Sequence, residues 1–254
     1  LNQKIMNSKI LITISSVLIL SSCDVVNEAV SIVNNNSNSQ SNSSNTPSLT
    51  NQEVVSGLKE ALTVGIKNSV NLTSVTDGFL KNNEIRLPFP PDALKVKEKA
   101  IELGFSNKVN EFEETLNRAA ESASKEALPI FIDAIKNMSL QDGFGILNGG
   151  DGAATKFLKD QTTSKLTQAF LPKVKQVTSR VKLTDKWNPI IKKYNQATML
   201  TGGETINPDL DAFVTERAIS GLFLMVEKEE NKIRKDPIAR VSDLLQKVFG
   251  QLTN

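Results

Sequence analysis

The chain has 254 residues, of which 39% are hydrophobic and 23% are charged, with a formal net charge of +2 and no histidine. Without histidine, Ser-His-Asp and Cys-His catalysis, histidine zinc sites and the Glu-x-x-His di-iron motif are excluded. Residues 1–22 contain two of the 30 basic residues and no acid, so the remaining chain has 28 basic and 28 acidic residues. This neutrality gives no electrostatic reason to expect a nucleic-acid partner.

The N-terminal segment has the pattern of a bacterial lipoprotein signal. Lys4 and Lys9 precede the apolar run ILITISSVLIL at 10–20, which is too short to span a membrane but suits the core of a signal peptide. The run leads into LSSC, which ends at the only cysteine, Cys23, and resembles a lipobox. In such signals the peptide is cut before the cysteine and the thiol is acylated. The alternative is an ordinary secretory signal with an accidental cysteine.

We therefore predict a signal peptide over residues 1–22 and a lipid anchor on Cys23. The anchor predicts a membrane-bound protein of the bacterial cell envelope, facing the periplasm or the cell exterior. Residues 23–49 are predicted to be the lipidated N-terminus and a disordered tether, because NNNSNSQSNSSNTPS at 34–48 has no large apolar side chain. The alternative is a low-complexity stretch whose length was never selected.

Residues 50–254 show helical periodicity, with capping residues at helix starts and glycine or proline at helix ends. The predicted helices are 50–71, 92–103, 110–138, 140–147, 152–181, one from about 184, 209–235 and 238–249. The segment EIRLPF at 84–89 is the only one with any strand-like alternation. The pattern predicts an all-α class, with a single multi-helix, bundle-like domain behind the signal peptide and tether.

Local signals set several of these boundaries. Thr50 with Glu53, and Ser139 with Asp142, have the spacing of capping boxes. Pro129 is expected to kink or restart its helix, and the helix over 152–181 is expected to be interrupted near Pro172.

Five segments resemble, in order, an uncharacterised bacterial envelope family, the domain of unknown function 4197. They are NRAAE at 117–121, GGDGAAT at 149–155, LDAFVTERAISGLF at 210–223, EENKIRKDPIAR at 229–240 and LLQKVFG at 244–250. The resemblance extends over residues 53–250. It implies a helical domain that is exported or lipid-anchored, and it implies no activity.

The first candidate polar site is NRAAE. Arg118 and Glu121 lie at i,i+3, and Asn117 and Glu121 lie one turn apart beside small residues that let another helix approach. We expect Asn117 and Glu121 to be a buried polar pair bonded across helices. The alternative is a carboxylate that lines a binding cleft; acid/base catalysis would need a second acid, for which Asp133 and Asp142 are the candidates.

The second candidate is NGGDGAATK at 148–156, which resembles an anion cradle at a helix N-terminus. It lacks the P-loop spacing, and Asp151 is expected to occupy the cap that an anion would need. We therefore expect a plain helix-to-helix turn, with Asp151 and Thr155 as its polar groups.

The third candidate is EENKIRKDPIAR, in which Glu230 and Arg234 form an i,i+4 pair. We expect Arg234 and Arg240 to close back on carboxylates as a structural clamp. The alternative is a phosphate site.

Between residues 165 and 193 there are eight basic residues and one acid, Asp185. Such a patch on a tethered domain can rest on anionic lipid, with these residues as candidates: Lys173, Lys175, Arg180, Lys182, Lys186 and Trp187. The alternative is a solvated face balanced by acids elsewhere, such as Asp209, Asp211 and Glu216.

These features predict a non-catalytic binding or scaffolding domain whose partner is an envelope protein or a hydrophobic ligand, and they predict neither a cofactor nor a metal. One alternative is a carrier whose helices enclose a deep apolar cavity. Another is a carboxylate-based hydrolase, which requires two acids converging in a cleft, at least one of them with a raised pKa.

Overall fold

The structure, a computed structural model, describes residues 50–180, 182–203, 205–207 and 209–236, together with Ser242, Gln246 and Val248. These residues form eight α-helices and no strand, which confirms the all-α class. The helices are α1 Asn51–Ser74, α2 Leu94–Glu102, α3 Ser106–Ser124, α4 Ala127–Lys136, α5 Leu140–Asn148, α6 Ala153–Arg180, α7 Leu183–Thr201 and α8 Leu210–Lys235. A 3-10 turn, Pro91–Ala93, leads into α2.

The core is built around α6 and α8, which pack along each other. Helix α3 packs against both, α1 lies on α8, and α4 lies across α1 and α6. Fully buried phenylalanines fill the junctions: Phe170 lies on α6, and Phe131 of α4 meets Phe223 of α8 edge to face at 5.6 Å between ring centroids. The predicted helix faces therefore meet in a shared hydrophobic core.

Both predicted capping boxes are confirmed. The Thr50 hydroxyl accepts the Glu53 amide at 3.2 Å, and the Glu53 carboxylate accepts the Thr50 amide at 2.8 Å. Ser139 and Asp142 make the same reciprocal bonds at 3.1 and 3.0 Å. These starts can be recognised in the sequence because all of their partners lie within three residues.

The predicted effect of proline was wrong at one position. Helix α6 continues through Pro172 without interruption, and α7 likewise contains Pro189. A proline removes one amide donor, but the buried residues Phe170 and Val174 hold α6 in the core on either side of it. The helix predicted over 110–138 is divided into two helices, α3 and α4. Pro129 lies in the first turn of α4, where a backbone amide has no partner within the helix, so the missing amide of proline costs no hydrogen bond.

The segment 75–90 has no regular structure but contributes to the core. Phe79, Ile85, Leu87 and Phe89 are all buried. The segment lies directly on α8 at Gly221, where an added Cβ would meet the Phe79 ring at 2.8 Å and Ile85 Cβ at 3.1 Å. EIRLPF therefore forms a loop and not a strand, with alternate side chains buried, and it places Phe89 beside α3.

Helices α2 and α7 lie at the periphery of the domain. None of the residues of α2 is buried, and α2 packs on α3, whereas α7 packs on α6 and α8 through side chains that include Trp187 and Ile191. The helix predicted over 238–249 lies outside the described residues, apart from Ser242, Gln246 and Val248. Within the described part, no helix is both long enough and apolar enough to span a membrane.

Candidate functional site

Glu121 of α3 fastens the segment 75–90. Its side chain is buried, and Oε1 accepts the backbone amides of Phe79 at 3.1 Å and Leu80 at 3.2 Å. Oε2 accepts a hydrogen bond from Arg118 Nη1 at 2.9 Å. A carboxylate with three such donors is satisfied as a structural acceptor.

Arg118 joins this carboxylate to a strained turn. Its Nη2 donates to Asp77 Oδ1 at 2.8 Å, and Asp77 has a φ of +69°. The hydrogen bond from Lys81, followed by that from Arg118, lowers the pKa of Asp77 below its ordinary value. The hydrogen bond to Glu121 raises the pKa of Arg118. These ion pairs hold the turn against α3.

Asn117 fastens the same segment at its other end. Its amide nitrogen donates to the carbonyls of Leu87 at 2.9 Å and Glu113 at 2.8 Å, and its oxygen accepts the Leu87 amide at 2.8 Å. Asn117 and Glu121 are thus buried, as expected, but both bond to the segment 75–90 and not across to a second helix. Sequence reasoning missed Glu113, which pairs with Arg86 at 3.0 Å and Lys97 at 2.6 Å.

The glycine-rich turn before α6 does hold an anion, and that anion is the protein's own Glu230. The Ala154 and Thr155 amides donate to its two oxygens at 2.9 and 2.8 Å, and the Thr155 hydroxyl donates at 2.8 Å. Asp151 does not take this position, contrary to expectation; it pairs with Lys235 at 2.5 Å. A helix N-terminus favours a carboxylate, and here α8 supplies it.

Arg234 completes this clamp between α6 and α8. Its guanidinium donates twice to Glu230 Oε1, at 3.0 and 2.9 Å, and once to the Ile146 carbonyl at 2.9 Å. The predicted clamp is therefore present for Arg234. Arg240, the other predicted member, lies outside the described residues.

The two candidate second carboxylates do not reach Glu121. Asp133 accepts from Lys165 at 3.1 Å and from Asn137 at 3.1 Å, and Asp142 belongs to the α5 capping box. The Ser139 hydroxyl and then the Ser139 amide lower the pKa of Asp142. A general acid requires the opposite shift. No group of three or more metal-ligating side chains occurs among the described residues.

A groove of about 570 Å³ opens between α2, α3 and α7. We name it the aromatic groove, after three rings on its floor that contact one another: Phe89 and Phe112 lie 4.6 Å apart between centroids, Phe112 and Trp187 5.1 Å, and Phe89 and Trp187 5.7 Å. Its remaining apolar walls are Val96, Ala100, Val109, Val177, Leu183 and Ile190. A pocket of this size and lining suits a mainly apolar ligand.

Trp187 lies in the floor of this groove and not on the surface. Its side chain is only 4% exposed, so the expectation that it rests on a membrane beside the neighbouring lysines is wrong. Its indole N–H is buried and has no hydrogen-bond acceptor among the described residues. A buried indole nitrogen normally finds an acceptor, so a residue that lines the groove carries an unsatisfied donor.

The rim of the aromatic groove carries charge of both signs. The exposed carboxylates Glu111 and Glu114 pair on their own helix with Lys108 at 2.6 Å and Arg118 at 3.2 Å. The fifth charged residue, Lys186, is exposed and has no acidic partner within the described part of the chain. The two carboxylates of this rim are therefore paired with neighbouring cations, and the α7 side of the rim is positively charged.

The predicted basic patch is mostly exposed. Lys175, Arg180, Lys182 and Lys186 are open to solvent, whereas Lys173 pairs with Glu126 at 2.9 Å. Asp211, one of the acids expected to balance the patch, is buried and accepts from the Thr178 hydroxyl at 2.8 Å. Whether this face contacts lipid stays a prediction.

The interior of the bundle is almost solid. Between α1, α6 and α8 the space amounts to about 20 Å³, room for about one water molecule. The deep cavity required for a carrier that encloses an acyl chain among these helices is absent from the part that the structure describes. The aromatic groove, by contrast, has room for a hydrophobic ligand.

The family model described as "Protein of unknown function (DUF4197)" matches residues 48–250. The chain belongs to this family. No curated protein and no solved structure matches it. The DUF4197 description assigns no activity, so the chemistry of the site rests on the geometry above.

Within this DUF4197 domain the sequence indicated the polar clusters but not the aromatic groove. Phe89 ends EIRLPF, which stands out only for its strand-like alternation, and Phe112 lies within the helix predicted over 110–138 without any mark of a site. Trp187 was the only one of the three singled out, and for a different role. No spacing in the sequence joins residues 89, 112 and 187, because the segment 75–90, α3 and α7 must come together before the rings meet.

Proposed function

We propose that this protein is a lipid-anchored protein of the bacterial cell envelope whose helical domain binds a hydrophobic partner at the aromatic groove and catalyses no reaction. The groove supports the binding role, since it is the place where a sizeable apolar surface and an unsatisfied buried donor coincide. The polar clusters that resembled active sites are satisfied by internal bonds. The lipobox at Cys23 supports the anchor.

The anchor is tested by mass spectrometry of the protein purified from its native membrane. The expected product lacks residues 1–22 and has acyl chains on Cys23, and Cys23→Ser moves the protein into the soluble fraction, because stable attachment needs two or more chains. An unmodified thiol, or residues 1–22 still attached, would contradict the anchor.

The groove is tested with two neighbouring residues of α2. Ala100 lines the aromatic groove, whereas Ile101 is exposed and does not. Ala100→Phe should fill the groove and weaken binding of the apolar probe N-phenyl-1-naphthylamine at least about tenfold, the loss expected from roughly 1.4 kcal/mol of displaced apolar contact. Ile101→Phe should bind as the unmodified chain does. Equal binding by both variants, with unchanged circular dichroism, would show that the probe binds elsewhere.

A further inference from the structure

The charge around the aromatic groove is unevenly compensated. On the α3 side, Lys108 and Arg118 are each held by a carboxylate of the same helix, at 2.6 Å and 3.2 Å. On the α7 side, Lys186 has no such partner in the described part. A ligand that enters the groove therefore meets apolar walls, the pair of Lys108 and Glu111, an arginine already shared by three carboxylates, and one open cation, Lys186.

The turn from α6 into α7 adds to this positive charge. Lys182 lies one helical turn before Lys186, and Arg180 ends α6. Both are exposed and lack an acidic partner among the described residues, and the acid of this stretch is the exposed Asp185. Three cations against one carboxylate favour an anionic group at this end of the groove.

The concave shape of the groove distinguishes between two anionic partners, a bilayer surface and a single amphiphile molecule. Phe112 on its floor is partly exposed, whereas Trp187 lies deeper and is only 4% exposed. A bilayer surface is flat on this scale and cannot bring its headgroups and chains into the groove together, whereas a single molecule can. The buried Trp187 N–H also has no acceptor in the described part, so a ligand oxygen that reached it would satisfy this donor.

We propose that the aromatic groove binds a monomeric, single-chain anionic amphiphile, with an alkyl chain on the Phe89, Phe112 and Trp187 rings and a carboxylate or phosphate headgroup beside Lys186. This proposal rests on the binding role given above and adds the chemical class of the ligand. The apolar walls supply most of the affinity, since each buried methylene tightens binding about fourfold. Lys186 supplies the preference for a negative headgroup.

The test compares three probes with the same twelve-carbon chain: dodecanoate, dodecyltrimethylammonium and dodecyl maltoside. Each is titrated below its micellar concentration into the full chain carrying Cys23→Ser, which needs no detergent, and followed by Trp187 fluorescence and calorimetry. Dodecanoate should bind about three- to tenfold more tightly than the cationic probe, the range expected for one partly desolvated ion pair. Lys186→Glu should abolish or reverse this preference.

The matched control is Lys193→Glu. Lys193 is exposed on the same helix but does not line the groove, so this variant should keep the preference for dodecanoate. A second comparison uses dodecyl phosphate and inorganic phosphate. Binding of dodecyl phosphate alone supports an amphiphilic ligand. Equal binding of the two overturns the amphiphile and assigns the groove end to a free anion.

The outcomes separate this proposal from the one on which it rests. Equal binding of all three probes, blocked by Ala100→Phe and unaffected by Lys186→Glu, would overturn the anionic headgroup and leave the groove as a binding site. Failure of every probe to bind would overturn both. Cosedimentation with phosphatidylglycerol vesicles that depends on Lys186, without binding of monomeric dodecanoate, would assign the cations to a bilayer surface and overturn the monomeric ligand.

Discussion

At the scale of single residues, buried carboxylates of this domain act as acceptors for backbone amides that have no other partner. Glu121 receives two amides of the segment 75–90, and Glu230 receives two amides at the start of α6. Each also pairs with an arginine on its own helix, at 2.9 Å. This explains why acids that resembled catalytic groups in the sequence contribute to stability.

Removing Glu121 should therefore destabilise the fold strongly. Glu121→Ala leaves Arg118 short of a partner and two buried amides without an acceptor, so the free energy of unfolding should fall by about 3 kcal/mol. Glu114→Ala removes an exposed partner of the same arginine and should cost at most about 0.5 kcal/mol. Urea unfolding measures both. Similar losses in the two variants would mean that the buried bonds contribute little.

Two carboxylates should make stability depend on pH. The pKa values of Asp77 and Asp142 are lowered below 3.8 by their hydrogen-bond donors. Their stabilising contribution is therefore complete above the unfolded pKa and is lost as the pH falls through the folded pKa. The difference in unfolding free energy between the unmodified chain and Asp142→Asn should be constant from neutral pH to about 5 and shrink below about 4. A difference that stays constant down to pH 2 would contradict this.

At the scale of elements, α6 and α8 are joined by more than hydrophobic packing. Helix α8 supplies the carboxylate that caps α6, and its Arg234 reaches the last turns of α5 through the Ile146 carbonyl. Three helix ends are thereby fixed relative to one another. The nearby Asp151 does not accept these α6 amides as Glu230 does, because it pairs with Lys235.

A double-mutant cycle measures this clamp. Glu230→Ala should lower the free energy of unfolding by about 3 to 5 kcal/mol, because it removes the carboxylate that pairs with the nearly buried Arg234 and the acceptor of two α6 amides. The combined Glu230→Ala, Arg234→Ala variant should lose less than the sum of the single changes, with a coupling of about 1 to 3 kcal/mol.

The control cycle uses Lys156 and Asp160, an ion pair at 2.8 Å with the same i,i+4 spacing and an exposed position on α6. Its coupling should stay below about 0.5 kcal/mol. Equal coupling in the two cycles would mean that burial adds nothing to the clamp.

At the scale of the whole molecule, the helices α1, α3, α4, α6 and α8 share one core, and the aromatic groove lies beside it. The only tryptophan of the chain, Trp187, is in the groove, so its fluorescence reports on this end of the domain. The helix signal in circular dichroism reports mainly on the bundle. The two probes can therefore test whether core and groove unfold together.

We expect coincident unfolding transitions for the two probes, because α7 packs on α6 and α8 of the core. Phe170→Ala leaves a cavity in the core beside α6. The free energy of unfolding measured by either probe should fall by about 3 to 5 kcal/mol. Leu200→Ala, at a site that is 90% exposed, should change it by less than about 0.5 kcal/mol. A fluorescence transition that precedes the dichroism transition would show that the groove end opens on its own.

Features with local causes could be predicted from the sequence, and those with distant partners could not. The capping boxes at Thr50 and Ser139 join residues three positions apart, and the pair Glu230 and Arg234 joins residues four apart. The continuation of α6 through Pro172 depends on core contacts from other helices, and the cap of α6 comes from a residue 76 positions away. No rule of spacing reaches that far.

The sequence alone determined the all-α class, most helix boundaries and the absence of histidine chemistry, and it predicts a lipid anchor at Cys23. These depend on composition and on periods of three or four residues, which a chain carries before it folds. Only the tertiary structure decided that Glu121 and Glu230 are structural and that Phe89, Phe112 and Trp187 share a groove. The reason is that a side chain's role depends on which distant groups reach it, and packing of the helices sets those distances.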